Sequence, residues 1–350
     1  MTDSFCTTEI HRKIVDTIDT GTSFAVVLVL KAEGSTPLKT GAKALVEASG
    51  RIWGTIGGGA VEAEAQRRAV QACASGRPLV FDFHMEGASR SDDTPICGGA
   101  MRILVDPCAA RHRETYVQVA EALAQGQRGV LLTTVRQDAQ GEVTLTWQAE
   151  AELTTCQGLS DAGCLQTCLA KEVPCLFSDS EGMTETLIEP VIPRPRLLIA
   201  GGGHVGQALA RQAVLVEFAV TIIDDRPEFT GSTLYPPGVA TQCGDIPQQL
   251  ADSPMNKDTY IVIVTRGHQC DAEALEACIR RPTAYVGMIG SKRKVGLIRQ
   301  SLIESGLATD EEFERVYAPI GLDIGSVTAG EIATSIVAQL IAVRRQGALR

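Results

Sequence analysis

The chain has 350 residues, a formal net charge of −10, 44% hydrophobic residues and only 4% aromatic residues. This length is enough for two domains, whose cores must be filled by aliphatic side chains. The acidic balance disfavours non-specific binding to nucleic acid or to an anionic membrane, because both need a basic surface. No apolar run is long enough to span a bilayer, and no secretory signal is visible, so we expect a cytoplasmic protein. The eleven cysteines are therefore expected to be reduced thiols.

The first half of the chain mixes short helices and strands. Helices are predicted at 9–19, 60–74 and 113–124, and strands at 24–30, 44–48, 52–56, 79–83, 100–105, 129–134 and 143–147. The two strands around Ser49 and Gly50 have the pattern of a hairpin, and residues 31–37 are predicted to form a polar loop. We therefore expect a mixed α+β domain over residues 1–189.

A glycine-rich turn precedes the second predicted helix. Gly57, Gly58 and Gly59 follow a short strand and lead directly into the helix at 60–74. Backbone N–H groups at such a helix start can hold an anion. The same three glycines can equally serve a tight turn with close packing, and the sequence leaves both interpretations open.

Five cysteines attract attention because metals and sulfur chemistry use thiolates. Cys97 is followed by two glycines, which leaves its thiol accessible to a ligand or a metal centre, although burial as a small apolar residue is the commoner fate. Cys156, Cys164, Cys168 and Cys175 lack the paired spacing of a zinc site and have no histidine nearby. We expect Cys164 and Cys168 to share a helix face as packing residues.

Three prolines in six positions mark the predicted domain boundary. Pro190, Pro193 and Pro195 cannot continue a helix or a central strand. We therefore place a second domain at residues 190–350.

A strand, a glycine cluster and a helix open the second domain. The apolar run 196–200 is followed by Gly201, Gly203 and Gly206 at the spacing of a dinucleotide-binding turn. Gly201 allows the sharp turn, Gly203 allows close approach of a phosphate, and Gly206 allows the helix to pack on the strand. The next strand, 219–223, ends at Asp224, where a carboxylate can accept hydrogen bonds from ribose hydroxyls.

The rest of the chain continues this alternation. Strands are predicted at 239–243, 260–264, 284–289 and 316–318, and helices at 271–281, 292–304 and from 328 to about 345. Thr328 and Glu331 have the spacing of a capping box at the start of the last helix. The alternation predicts an α/β fold with a Rossmann-like, mostly parallel sheet.

Polar residues cluster after three of these strands, where an open α/β sheet binds its ligands. The clusters contain His204 with Asp224, Asp225 and Arg226; residues 265–271 with His268 and Asp271; and residues 290–294 with Ser291, Lys292, Arg293 and Lys294. The third cluster is a basic helix start that suits a phosphate. His268 and Asp271 are also open to explanation as a helix cap and its neighbour, and Arg226 leaves the choice between NAD and NADP open.

Together these motifs resemble the XdhC/CoxI family. The matching segments are 33–37 (EGSTP), 54–62 (GTIGGGAVE), 97–99 (CGG), 201–206 (GGGHVG), 265–268 (TRGH), 289–294 (IGSKRK), 319–325 (PIGLDIG) and 331–333 (EIA). They occur in both halves and in the order of the family. The stretch from about Arg111 to Glu189 carries little of the resemblance.

The resemblance implies a chaperone that binds molybdenum cofactor, a molybdopterin, and helps to insert it into molybdenum hydroxylases such as xanthine dehydrogenase. It implies that Cys97 contacts the molybdenum or its sulfur, and that a cysteine desulfurase partner donates that sulfur. The two glycine turns and the helix start at Lys292 and Arg293 become candidate anchors for a phosphate-bearing pterin. We further expect a homodimer, and no residue is assigned a catalytic role.

Two other functions remain open on the sequence. An NAD(P)-dependent oxidoreductase would use the glycine fingerprint, with His268 as a general acid. A nucleotide-sensing regulatory domain would use the fingerprint but would have no need of Cys97 and its two glycines. No motif pairs a nucleophile with an oriented base, which favours the chaperone.

Overall fold

The computed structural model describes residues 7–85, 98–136, 141–153 and 162–348. The chain divides into two compact units, Met1–Pro193 and Arg194–Arg350. The predicted limits of 1–189 and 190–350 stay predictions, because a division by contacts does not test which segments fold alone. Each unit is described by itself.

The first unit contains two antiparallel sheets and four helices in its described residues. The elements are α1 (Thr7–Asp19), β1 (Phe24–Glu33), β2 (Lys43–Glu47), β3 (Ile52–Gly54), α2 (Gly59–Ser75), β4 (Leu79–His84), β5 (Ala100–Asp106), α3 (Arg113–Ala124), β6 (Gly129–Arg136), β7 (Val143–Ala149), α4 (Ala162–Lys171), β8 (Cys175–Ser178) and β9 (Thr184–Val191). The strand orders are β3-β2-β1-β5-β4 and β7-β6-β9-β8. This confirms the mixed α+β character expected of the first half, and both sheets are antiparallel.

The two sheets share an aliphatic core. Leu28 and Leu30 of β1 pack in one buried cluster with Leu187 of β9. On the other side of the first sheet, α2 presents small buried residues such as Ala65 and Ala69, which let the helix lie close to the strands. Aliphatic and alanine side chains thus fill the core, as the low aromatic content requires.

Three sequence predictions for this unit need correction. Residues 31–33 are not loop, because β1 continues to Glu33 and pairs with β5 beyond a bulge. The strands β8 and β9 were not predicted, and the bounds of α4 were not given, although a helix face at Cys164 and Cys168 was expected. Pro190 lies inside β9, where we expected prolines to end regular structure. Pairing with β8 stops at Ile188, so one side of β9 has no partner strand at Pro190, and a proline is tolerated there.

The second unit is built on one parallel sheet of six strands. Its elements are β10 (Arg196–Ala200), α5 (His204–Leu215), β11 (Ala219–Asp224), β12 (Ala240–Cys243), α6 (Ile246–Asp252), β13 (Thr259–Ile263), α7 (His268–Cys278), β14 (Tyr285–Met288), α8 (Lys292–Glu304), α9 (Asp310–Glu314), β15 (Val316–Tyr317) and α10 (Ala329–Gln346). The order β12-β11-β10-β13-β14-β15 is the doubly wound order of a Rossmann fold. The predicted fold class is confirmed.

Helices cover both faces of this sheet. On one face, Leu209 of α5 and Ile336 and Leu340 of α10 pack against the strands. On the other face, α6, α7 and α8 contribute the second buried cluster. The capping box at Thr328 and Glu331 is confirmed, since each residue bonds the backbone of the other.

Candidate functional site

The glycine turn lies where the strand order of the second unit reverses. β10 is hydrogen-bonded to β11 on one side and to β13 on the other. Gly201 has a φ of 115°, and a Cβ there would stand 2.5 Å from the Val264 oxygen and 3.1 Å from the Cα of Thr265. Only glycine suits this position. The turn after β10 therefore touches the segment after β13, at the place where open α/β sheets bind ligands.

The other two glycines of the fingerprint differ in their surroundings. A Cβ at Gly206 would overlap the carbonyl oxygen of Gly201, so this glycine lets α5 pack on the turn. A Cβ at Gly203 would meet nothing within 4 Å. Gly203 is the N-cap of α5, and no side chain accepts a hydrogen bond there. The space in the direction of a Gly203 side chain is therefore open, and it lies at the positive end of the helix dipole, where first-turn N–H groups have no partner within the helix.

The carboxylate of Asp224 is engaged by hydrogen bonds from neighbouring groups of the protein. Its carboxylate accepts hydrogen bonds from the Gly202 amide at 2.7 Å, the Arg226 amide at 3.0 Å, and Nε and Nη2 of Arg226 at 2.9 and 3.0 Å. Only 1% of the side chain is exposed. Burial acts to raise the pKa of Asp224, but the bonds from Arg226 and Gly202 outweigh it and lower the pKa. In this arrangement Asp224 braces the glycine turn.

The neighbouring acid, Asp225, forms a surface ion pair. Its carboxylate lies 2.7 Å from Nη2 of Arg266, which follows β13, and 3.8 Å from Nε of Arg226. Both partners of the first pair are largely exposed. This pair joins the segments after β11 and β13 on either side of the glycine turn.

Asp271 organises the segments after β13 and β14. It is fully buried, and its Oδ1 accepts hydrogen bonds from the amide and the hydroxyl of Thr265, at 3.2 and 2.6 Å. Its Oδ2 accepts from the ammonium of Lys294 in the first turn of α8. A contact chain thus runs from Gly201 through Thr265 and Asp271 to Lys294. Asp271 is a positioning residue, because a ligand cannot reach it.

Lys294 belongs to the predicted basic helix start, but only Lys292 and Arg293 of its three cations were singled out as anchors. A Cβ at Gly290 would lie 3.2 Å from Cδ of Lys294, so the lysine stem folds over that glycine towards Asp271. Its side chain keeps 25% of its surface exposed. The sequence showed three adjacent cations, but only tertiary contacts show which of them turns towards β13.

The other predicted residues of this edge lie at its rim. Ser291 is the N-cap of α8 and accepts a hydrogen bond from the Lys294 amide at 3.3 Å, so one donor of the helix start is already used. Lys292, Arg293, His204 and His268 are exposed. Within the described part of the chain, no hydrogen bond orients His268, so nothing here prepares it as a general acid.

The glycine turn of the first unit already holds a carboxylate. Oε2 of Glu62 accepts hydrogen bonds from the Ile56 amide at 3.1 Å, the Gly58 amide at 3.3 Å and the Thr55 hydroxyl at 2.5 Å. A side chain of the protein therefore takes the place that an anion would occupy at these two amides. The space beside Gly59 remains open.

Three motif segments of the first unit are in contact. A Cβ at Gly57 would stand 2.5 Å from Cγ of Pro37, and a Cβ at Gly99 would stand 2.5 Å from the Ser35 oxygen. The loop 34–37 thus lies between the glycine turn and Gly99. Cys97, the candidate molybdenum contact, lies outside the described residues, as does Cys156.

The two cysteines of α4, Cys164 and Cys168, pack as predicted, and Cys175 of β8 joins them. Cys164, Cys168 and Cys175 belong to the apolar cluster around α4. Burial, followed by the neighbouring Cys175, raises the pKa of Cys168 to about 12, which leaves an inert thiol. Among the described residues, no group of three His, Cys, Asp or Glu side chains is arranged to hold a metal ion.

A helix that crosses a bilayer needs about 20 consecutive, predominantly apolar residues. In the ranges that the structure describes, no helix combines the length and the apolar character needed to cross a bilayer.

Comparison with known proteins adds two family matches and several relatives. The XdhC and CoxI family matches residues 17–84, and the XdhC Rossmann domain matches residues 197–340. A protein of Bacillus subtilis named as a probable subunit of xanthine dehydrogenase is 24% identical, with 92% of this chain and 93% of that protein covered. The molybdenum cofactor insertion chaperone PaoD of Escherichia coli is 23% identical, with 96% and 90% covered.

Two further matches bear on length and fold. The uncharacterized protein YqeB of Escherichia coli is 27% identical over 92% of this chain, which spans only 43% of that protein. A crystal structure from Bacillus halodurans, described as a xanthine dehydrogenase, superposes with a TM-score of 0.74, at 22% identity and 96% coverage of both chains. At that identity the structural likeness establishes the fold.

Proposed function

Because the chain belongs to the XdhC/CoxI family, we propose that it binds molybdenum cofactor and acts in the maturation of a molybdenum enzyme. The relatives named as part of a xanthine dehydrogenase and as a cofactor insertion chaperone support this role. In the finer proposal, the protein supports sulfuration of the cofactor and delivers it to a hydroxylase of the xanthine dehydrogenase type.

One observation carries the proposal: the uncapped start of α5 opens on free space above Gly203. The cofactor is a phosphate-bearing pterin, and unpaired N–H donors at a helix start suit a phosphate. Lys294, joined to the glycine turn through Thr265 and Asp271, adds a partly exposed positive charge at the same edge. Gly203 and His204 supply backbone at the helix start, and Lys292 and Arg293 add charge at the rim. Gly201, whose amide is bonded to the Ile223 oxygen, and Gly206 shape the turn.

The first unit, taken by itself, offers a separate candidate contact for the cofactor. The segment that follows Cys97 is packed, through the loop 34–37, against the turn at Gly57. We propose that Cys97 offers a thiolate to the molybdenum or its sulfur, since soft ligands suit such a centre. Gly57, Gly58 and Gly59 then serve chiefly to shape this loop, because Glu62 already occupies two amides of the turn.

The partners follow from this role and are proposals too. A hydroxylase would receive the cofactor, and a cysteine desulfurase would supply sulfur. We further propose a cytoplasmic homodimer. The acidic net charge of −10 supports partners other than nucleic acid.

Two substitutions at one position test the anion site. Gly203→Asp places a carboxylate at the N-cap, where it binds the donors of α5 and stabilises the helix. Gly203→Ala adds a methyl group but no acceptor. Mass spectrometry of natively purified full-length protein should find the pterin with wild type and Gly203→Ala, and lose it with Gly203→Asp. Equal retention by both variants, or wild type without any pterin, would refute the site.

A third substitution tests the sulfur contact. Cys97→Ala should abolish retention of sulfurated cofactor while the thermal unfolding profile stays that of wild type. Unchanged binding of the sulfurated cofactor would remove Cys97 from the proposal.

A further inference from the structure

The acid at the end of β11 has no acceptor site left for a ligand. A carboxylate offers about four lone-pair sites, and Asp224 uses two on each oxygen. Oδ1 accepts from the amide and Nε of Arg226, and Oδ2 accepts from the Gly202 amide and Nη2 of Arg226. A ribose diol, which needs a free carboxylate at this place, would have to displace the arginine.

Arg226 is fixed in this position from two sides. Its guanidinium makes the bidentate pair with Asp224 and lies over the ring of Phe229, with its central carbon 3.8 Å from the ring centroid. A planar guanidinium carries five N–H donors, of which the pair with Asp224 uses two. The side chain is 25% exposed. Three donors of a preoriented cation are thus left for an acceptor that comes from outside.

The surroundings of Arg226 are mixed in charge. A small pocket beside it is lined by Arg266 and by the acids Asp225, Asp245 and Glu273, together with Ile246 and Thr265. Glu273 accepts a hydrogen bond from Nε2 of Gln269 at 3.1 Å. Asp225 is paired with Arg266, and Asp245 caps α6 by accepting a hydrogen bond from the Gln248 amide at 3.0 Å. The carboxylates nearest to the turn are therefore engaged, while both arginines reach the surface.

We propose that Arg226 is a specificity-determining residue of the crevice. It closes Asp224 to neutral ribose diols and favours a ligand that presents a phosphate at this position, as a 2′-phosphorylated nucleotide does. The inference rests on the proposed function only in taking the crevice above Gly203 as a ligand site. It states which chemical group that site accepts next to β11.

Two probes that differ by one phosphate test the selectivity on the full-length protein. Adenosine 5′-monophosphate keeps the ribose diol, and adenosine 2′,5′-bisphosphate replaces its 2′-hydroxyl with a phosphate. Calorimetric titration of wild type should show the bisphosphate binding about tenfold more tightly or better, the value of one charge-assisted hydrogen bond. In Arg226→Met the bisphosphate should lose this advantage, and the monophosphate should gain because Asp224 becomes accessible.

A surface arginine outside the pocket provides the control. Arg280→Met removes a cation that pairs with Glu312 and does not line the pocket, so the ratio of the two affinities should change by less than about threefold. Thermal unfolding of each variant verifies the fold, and Arg226→Lys, which keeps the charge without the fork, should give an intermediate ratio. Equal affinities in wild type, no binding of either probe, or an unchanged ratio in Arg226→Met would overturn the proposal. Protein purified without pterin would refute the proposed function and leave this selectivity standing.

Discussion

The two glycine turns of this chain look alike in sequence and differ in structure. Each follows a strand and leads into a helix, and each has an acid within reach. In the first unit the acid is Glu62, four residues after Gly58, and its carboxylate fills the turn. In the second unit the acid is Asp224, which belongs to the next strand and binds only the Gly202 amide of the turn.

The difference lies in where the acid enters the turn. Glu62 approaches from its own helix and takes the amides that an anion would use. Asp224 approaches from the side and leaves the start of α5 without a cap. A glycine-rich helix start is therefore a binding site only when no side chain of the protein has already satisfied its donors.

The largest expected effect concerns Gly206. Gly206→Ala sets a methyl group against the Gly201 oxygen, which neither backbone can avoid, and should cost about 3 kcal/mol or more. Gly203→Ala, which meets open space, should cost about 1 kcal/mol or less. Urea unfolding followed by circular dichroism measures both. The two Trp residues of the chain, Trp53 and Trp147, lie in the first unit, so their fluorescence reports that unit separately. Similar losses in the two variants would contradict the packing role of Gly206.

The second largest loss of stability is expected at the ion pair between the buried Asp271 and Lys294 of the second unit. Asp271→Ala leaves the Lys294 ammonium without its buried partner and frees Thr265, at an expected cost of about 3–5 kcal/mol. Asp225→Ala breaks an exposed pair and should cost less than about 1 kcal/mol. The urea unfolding midpoints of the two variants measure these costs. A small loss of stability in Asp271→Ala would show that Asp271 does not hold the segments together.

A smaller loss of stability is expected when the carboxylate that occupies the glycine turn of the first unit is removed. Glu62→Ala removes three hydrogen bonds and should lower the stability of the first unit by about 1–2 kcal/mol, read from Trp fluorescence. Glu64→Ala, which loses only helix-surface pairs with Arg67 and Arg68, should change it by about 0.5 kcal/mol. Sulfate should raise the melting temperature of Glu62→Ala more than that of wild type, because the amides are then free. If sulfate acts equally on both proteins, the turn was not occupied by Glu62.

The smallest effect is a pH dependence in the second unit. Burial opposes ionisation of Asp224, but the bonds from Arg226 and Gly202 prevail and lower its pKa. A carboxyl with a lowered folded pKa stabilises the fold above its unfolded pKa of about 3.9, and this contribution is lost as the pH falls through the folded pKa. The stability difference between wild type and Asp224→Asn should therefore narrow as the pH falls from about 5 to about 3. A constant difference would mean that the carboxylate is not the ionised partner of Arg226.

Much of the second unit was predictable because its signals are local. The glycine spacing, the strands on either side and the capping box at Thr328 and Glu331 each depend on residues a few positions apart. The strand order then follows from the handedness and shortness of crossover connections. In the first unit β9 was missed because Pro190 suggested a break, and proline is tolerated there only because β8 ends earlier.

The site was harder to predict because its decisive contacts are distant in sequence. Asp271 and Lys294 are 23 positions apart, and the identity of the cation that turns inward depends on the space above Gly290. Asp224 was correctly placed at the strand end, but its role as a brace depends on Arg226 folding back onto it. The sequence indicates which polar side chains lie at the carboxyl edge of the sheet. Tertiary packing determines which of them remain available to a ligand.

The chain of contacts from Gly201 through Thr265 and Asp271 to Lys294 has a kinetic consequence. It holds the segments after β10, β13 and β14 together without a ligand, so the site is preorganised. Capture should then proceed at the rate at which correctly oriented collisions occur, without a slow rearrangement. Ligands that bind this edge tightly and ligands that bind it weakly should therefore differ chiefly in their dissociation rates.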